Sequence, residues 1–200
     1  MRGLEELEVV AVNGPPALCV LATCLGGFGK RPDLVVSGVN AGANTGRAVL
    51  HSGTVGAAFT ANSFGVSSIA VSQALGESFH WETAAVVSAS LVEWMAGIND
   101  TFTLNVNVPN LAIGPMTAHL AALDRGGEVQ TAMFDSGHGE LQLRLPTSHP
   151  ESGSDSAILD SGCVSITPLH AIHVCGLAVN GALAEIETAL AAADDEQRVA

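Results

Sequence analysis

The sequence predicts an α/β fold: a three-layer, Rossmann-like sandwich around a mostly parallel sheet, with a projecting β-hairpin extension. In the first half of the chain, apolar strand-like runs alternate with helix-like runs, which favours parallel strands joined by right-handed crossovers. In the second half, short strand-like runs are separated by glycine turn signals, which favours antiparallel hairpins. With 200 residues, 48% of them hydrophobic, the chain is long enough to bury a core.

The first half contains seven predicted elements in strict alternation. Four runs have the apolar density of buried strands: LEVVAV (7–12), DLVVS (33–37), SSIAVS (67–72) and FTLNVNVP (102–109). Three runs between them are typical of helices: ALCVLATCL (17–25), TVGAAFTANSFG (54–65) and HWETAAVVSASLVEWMAG (80–97). Turn formers such as NGPP and GGFGKRP separate these elements.

The second half contains shorter elements. MTAHLAAL (116–123), VQTAMFD (129–135) and ELQLRLP (140–146) are predicted to form hairpins, with turns at Gly126-Gly127 and at 137–139. A short helix capped by Ser154 or Asp155, a strand CVSITPL (163–169) and an alanine-rich helix follow. We therefore divide the chain into a Rossmann-like core (1–114), a β-hairpin extension (115–150), and a return strand with a C-terminal helix (151–200).

Charge and hydropathy exclude several classes of protein. The net charge is −13 with seven Lys and Arg, which argues against a nucleic acid polymer as partner, because such binding depends on neutralising phosphates. No run reaches the roughly 18 apolar residues of a membrane span. The N-terminal MRGLEELEVV has acidic residues where a signal peptide is apolar, so we expect a cytoplasmic protein. The four cysteines contain no CxxC pair and are expected to be buried, reduced thiols.

The segment from Ser37 to Ser52, called the glycine loop below, follows the strand DLVVS directly. Ligands of open parallel sheets lie beyond the carboxyl ends of the strands, where this loop begins. Ser52, Gly53 and Thr54 stand where the next helix should start, so their backbone N–H groups and the helix dipole would favour a phosphate. The segment matches neither GK[ST] nor GxGxxG. A purely structural glycine loop is the alternative interpretation.

Four segments resemble one known family. PDLVVSGVNAGANTGRAVLHSGTVGAAFTANSFGVSSIAVS (32–72) is similar to the signature of the SurE family of metal-dependent nucleotide phosphatases. LNVNVP (104–109), SDSAILDSGCVSITPL (154–169) and NGPPALCV (13–20) resemble further family segments. The resemblance implies removal of phosphate from nucleoside 5′- or 3′-monophosphates with Mg²⁺ or Mn²⁺ bound.

The resemblance also implies roles for individual residues. Asn40 would be a metal ligand through its side-chain oxygen, while Asn44, Ser52, Gly53 and Thr54 would hold the phosphate. The hairpins resemble an arm that family members exchange between subunits, which implies a homodimer or a homotetramer. His51 stands beside the predicted phosphate site and is either a donor to substrate oxygens or a solvent-facing histidine. His138 is a possible minor substrate contact, and His170 and His173 are expected to be structural.

The chain departs from the family at one important point. Family members open with a strand ending in N-D-D-G, whose aspartates supply the main charge of the metal site, and this motif is absent here. Leu18 replaces a further aspartate, and Asp33 lies at the wrong end of its strand to compensate. Two interpretations stay open: a shortened form of a full enzyme, or a degenerate, non-catalytic scaffold that binds phosphate or nucleotide or only oligomerises.

Overall fold

The computed structural model describes residues 9–125, 132–135, 141–144, 149–170 and 186. These residues form a five-stranded sheet with helices on both faces and a separate two-stranded sheet. The helices are α1 (Pro16–Cys24), α2 (Gly53–Ser63), α3 (Trp81–Met95) and α4 (Asp155–Asp160), with a 3-10 helix over Gly46–His51. The strands are β1 (Leu34–Ala41), β2 (Ser67–Gln73), β3 (Thr103–Val108), β4 (Ala118–Leu120), β5 (Ala132–Asp135), β6 (Leu141–Arg144) and β7 (Val164–Leu169).

The main sheet has the order β1-β2-β3-β7-β4 and confirms the predicted α/β class. β1, β2 and β3 are parallel, β7 runs antiparallel to β3, and β4 is parallel to β7. The carboxyl ends of the three parallel strands therefore meet at one edge of the sheet. At that edge Asn40 pairs with Ser72, Ser72 with Asn107, and Asn107 with Ser165.

Helices cover both faces of this sheet. On one face, α3 packs over a core that includes Ile69, Val71, Leu104 and Val106. On the other face lies α2, and α1 packs against α2 through residues four apart on each helix: Val20 and Cys24 against Ala57 and Ala61. A Cβ on Gly53 would lie 3.4 Å from Pro16 Cγ, so the first residues of α1 and α2 are neighbours. These two helices are parallel, and their N-termini lie side by side.

Strand β3 separates two chemically different layers. Thr103, Asn105 and Asn107 point to the α2 face, and Leu104, Val106 and Val108 belong to the apolar core under α3, because alternate residues of a strand face opposite sides. All six side chains are buried. The sheet is therefore apolar on one side of β3 and hydrogen-bonded on the other.

The predicted first strand, LEVVAV, is wrong where the structure describes it. Residues 9–12 form no strand, and Val9 is 81% exposed. An apolar run becomes a strand only when a neighbour accepts its backbone hydrogen bonds, and no described strand does so here. Among the described strands, β1 is thus an edge strand of the sheet.

The second half is partly as predicted. β5 and β6 pair antiparallel and confirm one hairpin, but β4 joins the main sheet parallel to β7 instead of forming a hairpin. The turns at Gly126-Gly127 and 137–139 lie outside the described residues, as does the C-terminal helix apart from Ile186, which is helical. The three domain boundaries stay predictions.

The cysteines are unpaired in the described part of the chain, as expected, but only Cys24 is buried. Cys19 and Cys163 are half-buried, which corrects the expectation of buried thiols, and Cys175 lies outside the described residues. No helix found among the described residues combines the length and the apolar character needed to cross a bilayer.

Candidate functional site

The glycine loop begins inside β1, not after it. The strand continues to Ala41, so Asn40 is a strand residue at its carboxyl end. The Nδ2 of Asn40 donates a 2.7 Å hydrogen bond to the Gly42 carbonyl, which leaves Oδ1 as the atom able to accept or ligate. Gly38 has φ +132°, and a Cβ there would collide with the Val71 carbonyl oxygen. Only glycine fits this position, because L residues rarely adopt such a φ.

Hydrogen bonds from β2 and β3 hold Asn44; we call Asn44, Ser72, Asn105 and Asn107 together the asparagine network. Its Nδ2 donates to Ser72 Oγ at 2.6 Å, and its backbone N–H donates to Asn107 Oδ1 at 2.7 Å. Its backbone carbonyl accepts from Asn105 Nδ2 at 2.8 Å and from Asn107 Nδ2 at 3.1 Å. The residue is 8% exposed. Each of these contacts supports the loop, so the predicted phosphate contact of Asn44 stays a prediction.

Ser52 caps α2, and the first two N–H groups of this helix have no acceptor within it. Its extended backbone and its Oγ, which accepts a 3.1 Å hydrogen bond from the Val55 N–H, are typical of an N-cap. The Gly56 N–H donates to the Ser52 carbonyl at 2.9 Å. The N–H groups of Gly53 and Thr54, the first two helical residues, have no partner within the helix. The structure thus places the three predicted phosphate residues together at one helix N-terminus.

Asp155 connects the glycine loop with the second half of the chain. Its Oδ2 accepts from the Gly46 N–H at 2.9 Å, and its Oδ1 accepts from the N–H groups of Asp124 and Ser156, each at 2.9 Å. The side chain is fully buried. Burial raises the pKa of the Asp155 carboxyl above its ordinary value; the three backbone N–H groups oppose this and the nearby Asp124 carboxylate adds to it.

The Asp124 carboxylate adds further hydrogen bonds to this connection. Its Oδ2 accepts from Ser154 Oγ at 2.8 Å and from the Glu151 N–H at 3.2 Å. Ser154 is the N-cap of α4, with its Oγ accepting from the Ala157 N–H at 3.2 Å, which confirms one of the two predicted caps. Two buried acidic side chains therefore fasten the start of α4 to the glycine loop and to the segment after β4.

Sequence reasoning missed the parts of Asn105, Asn107, Asp124 and Asp155 in this site. The polar-apolar alternation of TLNVNV in a strand expected to be buried was an available signal, because buried amides need specific partners. The contacts of Asp155 reach across 109 residues to Gly46 and leave no local pattern. Such a contact can be found only from the fold.

The described residues do not form a site for a divalent cation. They contain no group of three or more His, Cys, Asp or Glu side chains placed to hold a metal ion. Asn40 offers one neutral oxygen, whereas Mg²⁺ is held in proteins by carboxylates together with substrate phosphates. Asp33 forms an exposed 3.2 Å ion pair with Lys30 and does not contribute. The described part of the chain therefore does not fit the predicted metal without further ligands.

The predicted histidines lie on the periphery. His51 is the last residue of the 3-10 helix, next to Ser52, and is exposed. His170 is exposed just after β7, and His138 and His173 are outside the described residues. The exposure of His51 is compatible with both interpretations of this residue.

The family model described as "Survival protein SurE" matches residues 2–126 of the chain. The chain belongs to the SurE family. The resemblance inferred from the sequence motifs is thereby confirmed. The "5'-nucleotidase SurE" of Variovorax paradoxus (strain S110) is 48% identical over 168 residues, covering 79% of this chain and 67% of the relative. That of Polaromonas naphthalenivorans (strain CJ2) is 35% identical, covering 80% of this chain and 67% of the relative.

Two further comparisons agree. The "5'/3'-nucleotidase SurE" of Cronobacter sakazakii is 33% identical over 171 residues, covering 82% of this chain and 67% of the relative. The crystal structure of the SurE protein from Aquifex aeolicus superposes with a TM-score of 0.65 at 31% identity, covering 88% of this chain and 74% of that one. The matched segments span about two thirds of these curated relatives' own length. The relatives by name are nucleotidases, and the fold of this chain is that of the family.

Proposed function

We propose that this SurE family member binds nucleoside monophosphates at the edge of the sheet where β1 ends and hydrolyses their 5′- or 3′-phosphate monoester. The names of the relatives support the reaction class. The observation that carries the proposal is the start of α2, where Ser52 caps the helix and leaves the N–H groups of Gly53 and Thr54 available. A phosphate is the ligand that such a helix start favours.

Electrostatics supports an anion at this position despite the acidic chain. The dipole of α2 places roughly half a positive charge at its N-terminus. The N-terminus of α1 lies beside it, because a Cβ on Gly53 would lie 3.4 Å from Pro16 Cγ. Proline has no N–H group, so α1 adds the field of a second dipole but fewer donors than α2. The substrate phosphate would accept hydrogen bonds from Gly53 and Thr54 under two aligned helix dipoles.

These residues suit hydrolysis of a monoester. A water molecule attacks phosphorus, the P–O bond to the nucleoside breaks, and the leaving oxygen takes up a proton. Fixed N–H donors hold the non-bridging oxygens and stabilise the charge that develops on them. In this proposal, Ser52, Gly53 and Thr54 orient the phosphate. Asn44 supports the loop and also contacts the phosphate. Asn40 lies at the same edge of the sheet, with its Oδ1 able to ligate. Mg²⁺ or Mn²⁺ is the proposed cofactor, and it would need carboxylates beyond the described residues.

A second candidate function is a scaffold that binds phosphate or nucleotide without turnover, or one that only oligomerises. The observation that favours it is the acid-poor site, since Asn40 has no cluster of carboxylates around it among the described residues. We also propose a homodimer or homotetramer, supported by β5 and β6, which pair only with each other in the described sheets. Location in the cytoplasm, with neither a nucleic acid polymer nor a membrane as partner, completes the proposal.

The decisive experiment measures turnover and binding separately. p-Nitrophenyl phosphate and a panel of nucleoside 5′- and 3′-monophosphates are assayed with Mn²⁺, and binding of adenosine 5′-monophosphate is measured by calorimetry. Turnover supports the enzyme. Binding by a folded protein without turnover supports the scaffold, and the absence of both excludes a nucleotide site in this chain.

The variant Gly53→Pro tests the donor directly. Proline is tolerated at the first helical position and Ser52 already has the extended backbone that a following proline requires, so the helix should form without this N–H group. Losing one hydrogen bond to a charged phosphate should weaken binding about tenfold or more. Gly53→Ala is the matched control, because it adds the same Cβ, 3.4 Å from Pro16 Cγ, and keeps the N–H group. Equal affinity of Gly53→Pro and wild type would contradict the proposed phosphate position.

A further inference from the structure

We propose that Asp155 is a positioning residue for the phosphate site: its buried carboxylate fixes the backbone at Gly46 and thereby sets the place of the 3-10 helix that leads to Ser52. The expected effect on phosphate binding rests on the proposed function. The expected effect on the shape of the loop rests only on the hydrogen bonds described above.

Between Asn44 and Ser52 the glycine loop is held by hydrogen bonds at its start and by Val49, which packs in one cluster with Val55 and Ala58 of α2. Asn44 is fixed by the asparagine network, and Gly46 by its 2.9 Å hydrogen bond to Asp155 Oδ2. From Gly46 a single six-residue 3-10 helix, Gly46–His51, runs directly to the N-cap of α2. Its last hydrogen bond joins the Ser52 N–H to the Val49 carbonyl at 3.4 Å. A shift at Gly46 is therefore passed to Ser52 through one short, hydrogen-bonded element.

The two carboxylate oxygens of Asp155 accept hydrogen bonds from different segments of the chain. Oδ1 accepts two N–H groups, those of Asp124 and Ser156, and stays within the second half of the chain. Within the described part of the chain, Oδ2 accepts only from the Gly46 N–H and so reaches the glycine loop. A carboxylate accepts at both oxygens, whereas an asparagine accepts at one and donates at the other. Asp155 is thus suited to join two backbone segments that both offer donors.

This asymmetry makes Asp155→Asn a selective test. The amide oxygen takes the place of Oδ1 and keeps the hydrogen bonds from Asp124 and Ser156. Nδ2 then takes the place of Oδ2, so that two donors, Nδ2 and the Gly46 N–H, face each other. The contact with the loop is lost while the contacts with Asp124 and Ser156 remain. Leaving the buried Gly46 N–H without an acceptor costs stability, and removal of the buried charge offsets part of this cost. If Asp155 served only to stabilise the fold, its substitution would affect the amides of Gly46, Asp124 and Ser156 alike.

The control variant is Asp160→Asn. Asp160 ends the same helix, carries the same charge and is exposed, so it reproduces the charge change without the contact. Amide hydrogen exchange by NMR is measured for both variants at Gly46, Asp124 and Ser156. We expect exchange at Gly46 to rise at least about tenfold in Asp155→Asn only, with little change at the other two amides. Unchanged exchange at Gly46, or an equal rise at all three amides, overturns the inference.

Binding of inorganic phosphate and of adenosine 5′-monophosphate gives the second readout. If the loop holds its competent shape in only about a tenth of the molecules, affinity falls about tenfold. Full affinity in Asp155→Asn with a released Gly46 amide overturns the link between this residue and the phosphate site. If the wild type binds neither probe, the proposed function fails, while exchange at Gly46 still decides whether Asp155 sets the loop. The two failures are therefore distinguishable.

Discussion

Truncating the two asparagines of β3 in turn tests the hydrogen-bond assignment of the asparagine network. Asn105 and Asn107 are both fully buried, lie on the same face of one strand and lose the same atoms when changed to alanine. Their contributions to the cavity left behind should therefore be similar. The two variants differ in which backbone group of Asn44 loses its hydrogen-bond partner.

Among the described residues, Asn107→Ala removes the only acceptor of the Asn44 N–H and one of two donors to the Asn44 carbonyl. Asn105→Ala removes the other donor to that carbonyl, which still accepts from Asn107. It also removes Asn105 Oδ1, which is buried without a hydrogen-bond partner among the described residues. A buried N–H left unsatisfied costs about 1–3 kcal/mol. We therefore expect Asn107→Ala to be the more destabilising variant by about that amount.

Urea denaturation followed by circular dichroism measures both free energies of unfolding. The difference corresponds to roughly 2–4 °C in Tm per kcal/mol for a chain of this size. Equal m values for the two variants would show that the denatured states are comparable. A loss of stability in Asn105→Ala as large as that in Asn107→Ala would refute the assignment, because it would mean that the Asn44 N–H does not depend on Asn107.

Four further predictions concern single positions. Gly56→Ala should stabilise the protein by about 0.5–1 kcal/mol in thermal or urea unfolding, since alanine is the better helix residue and its Cβ meets open space; a destabilised variant would contradict the packing described. Ser52→Ala should cost about 1 kcal/mol through loss of the cap to Val55, and Ser52→Asp should restore most of it, whereas equal loss in both would argue against a capping role. Gly38→Ala should prevent stable folding, judged by expression and circular dichroism, because φ is +132° and the Cβ would collide with Val71; a well-folded variant would refute this. The folded-state pKa of Asp155 is raised, so its proton stabilises the fold below the unfolded value of 3.8, and this stabilisation is lost as pH rises through the folded pKa; Asp155→Asn should lack this component of the pH dependence of unfolding, and an identical pH dependence would contradict it.

Much of the fold could be predicted from the sequence: α3 from its helical apolar spacing, and β2 and β3 from their apolar density, because both strands are buried on both faces. The first predicted strand failed since residues 9–12 have the apolar density of a strand but no described neighbour to pair with. The short β4 failed differently. Its three residues are exposed, and only the fold brings them to β7, 44 or more residues further along the chain.

The candidate site could be predicted in part. The start of α2 was identifiable from the loop chemistry of Ser52, Gly53 and Thr54, and the structure brings these residues together. The support of the glycine loop was not identifiable, because Asn105 and Asp155 reach Asn44 and Gly46 from 61 and 109 residues away. Local patterns describe the backbone groups of the site but not the distant side chains that hold them.

The two-sided character of β3 limits how this strand can change length during evolution. An insertion or deletion of one residue within Thr103–Val108 would reverse the facing of every strand residue on one side of the change, because the side-chain period of a strand is two. Polar side chains among them would then enter the apolar layer beneath α3, while aliphatic side chains would meet the backbone of the glycine loop and satisfy none of its polar atoms. Length variation among homologues should therefore be confined to the connections that flank β3.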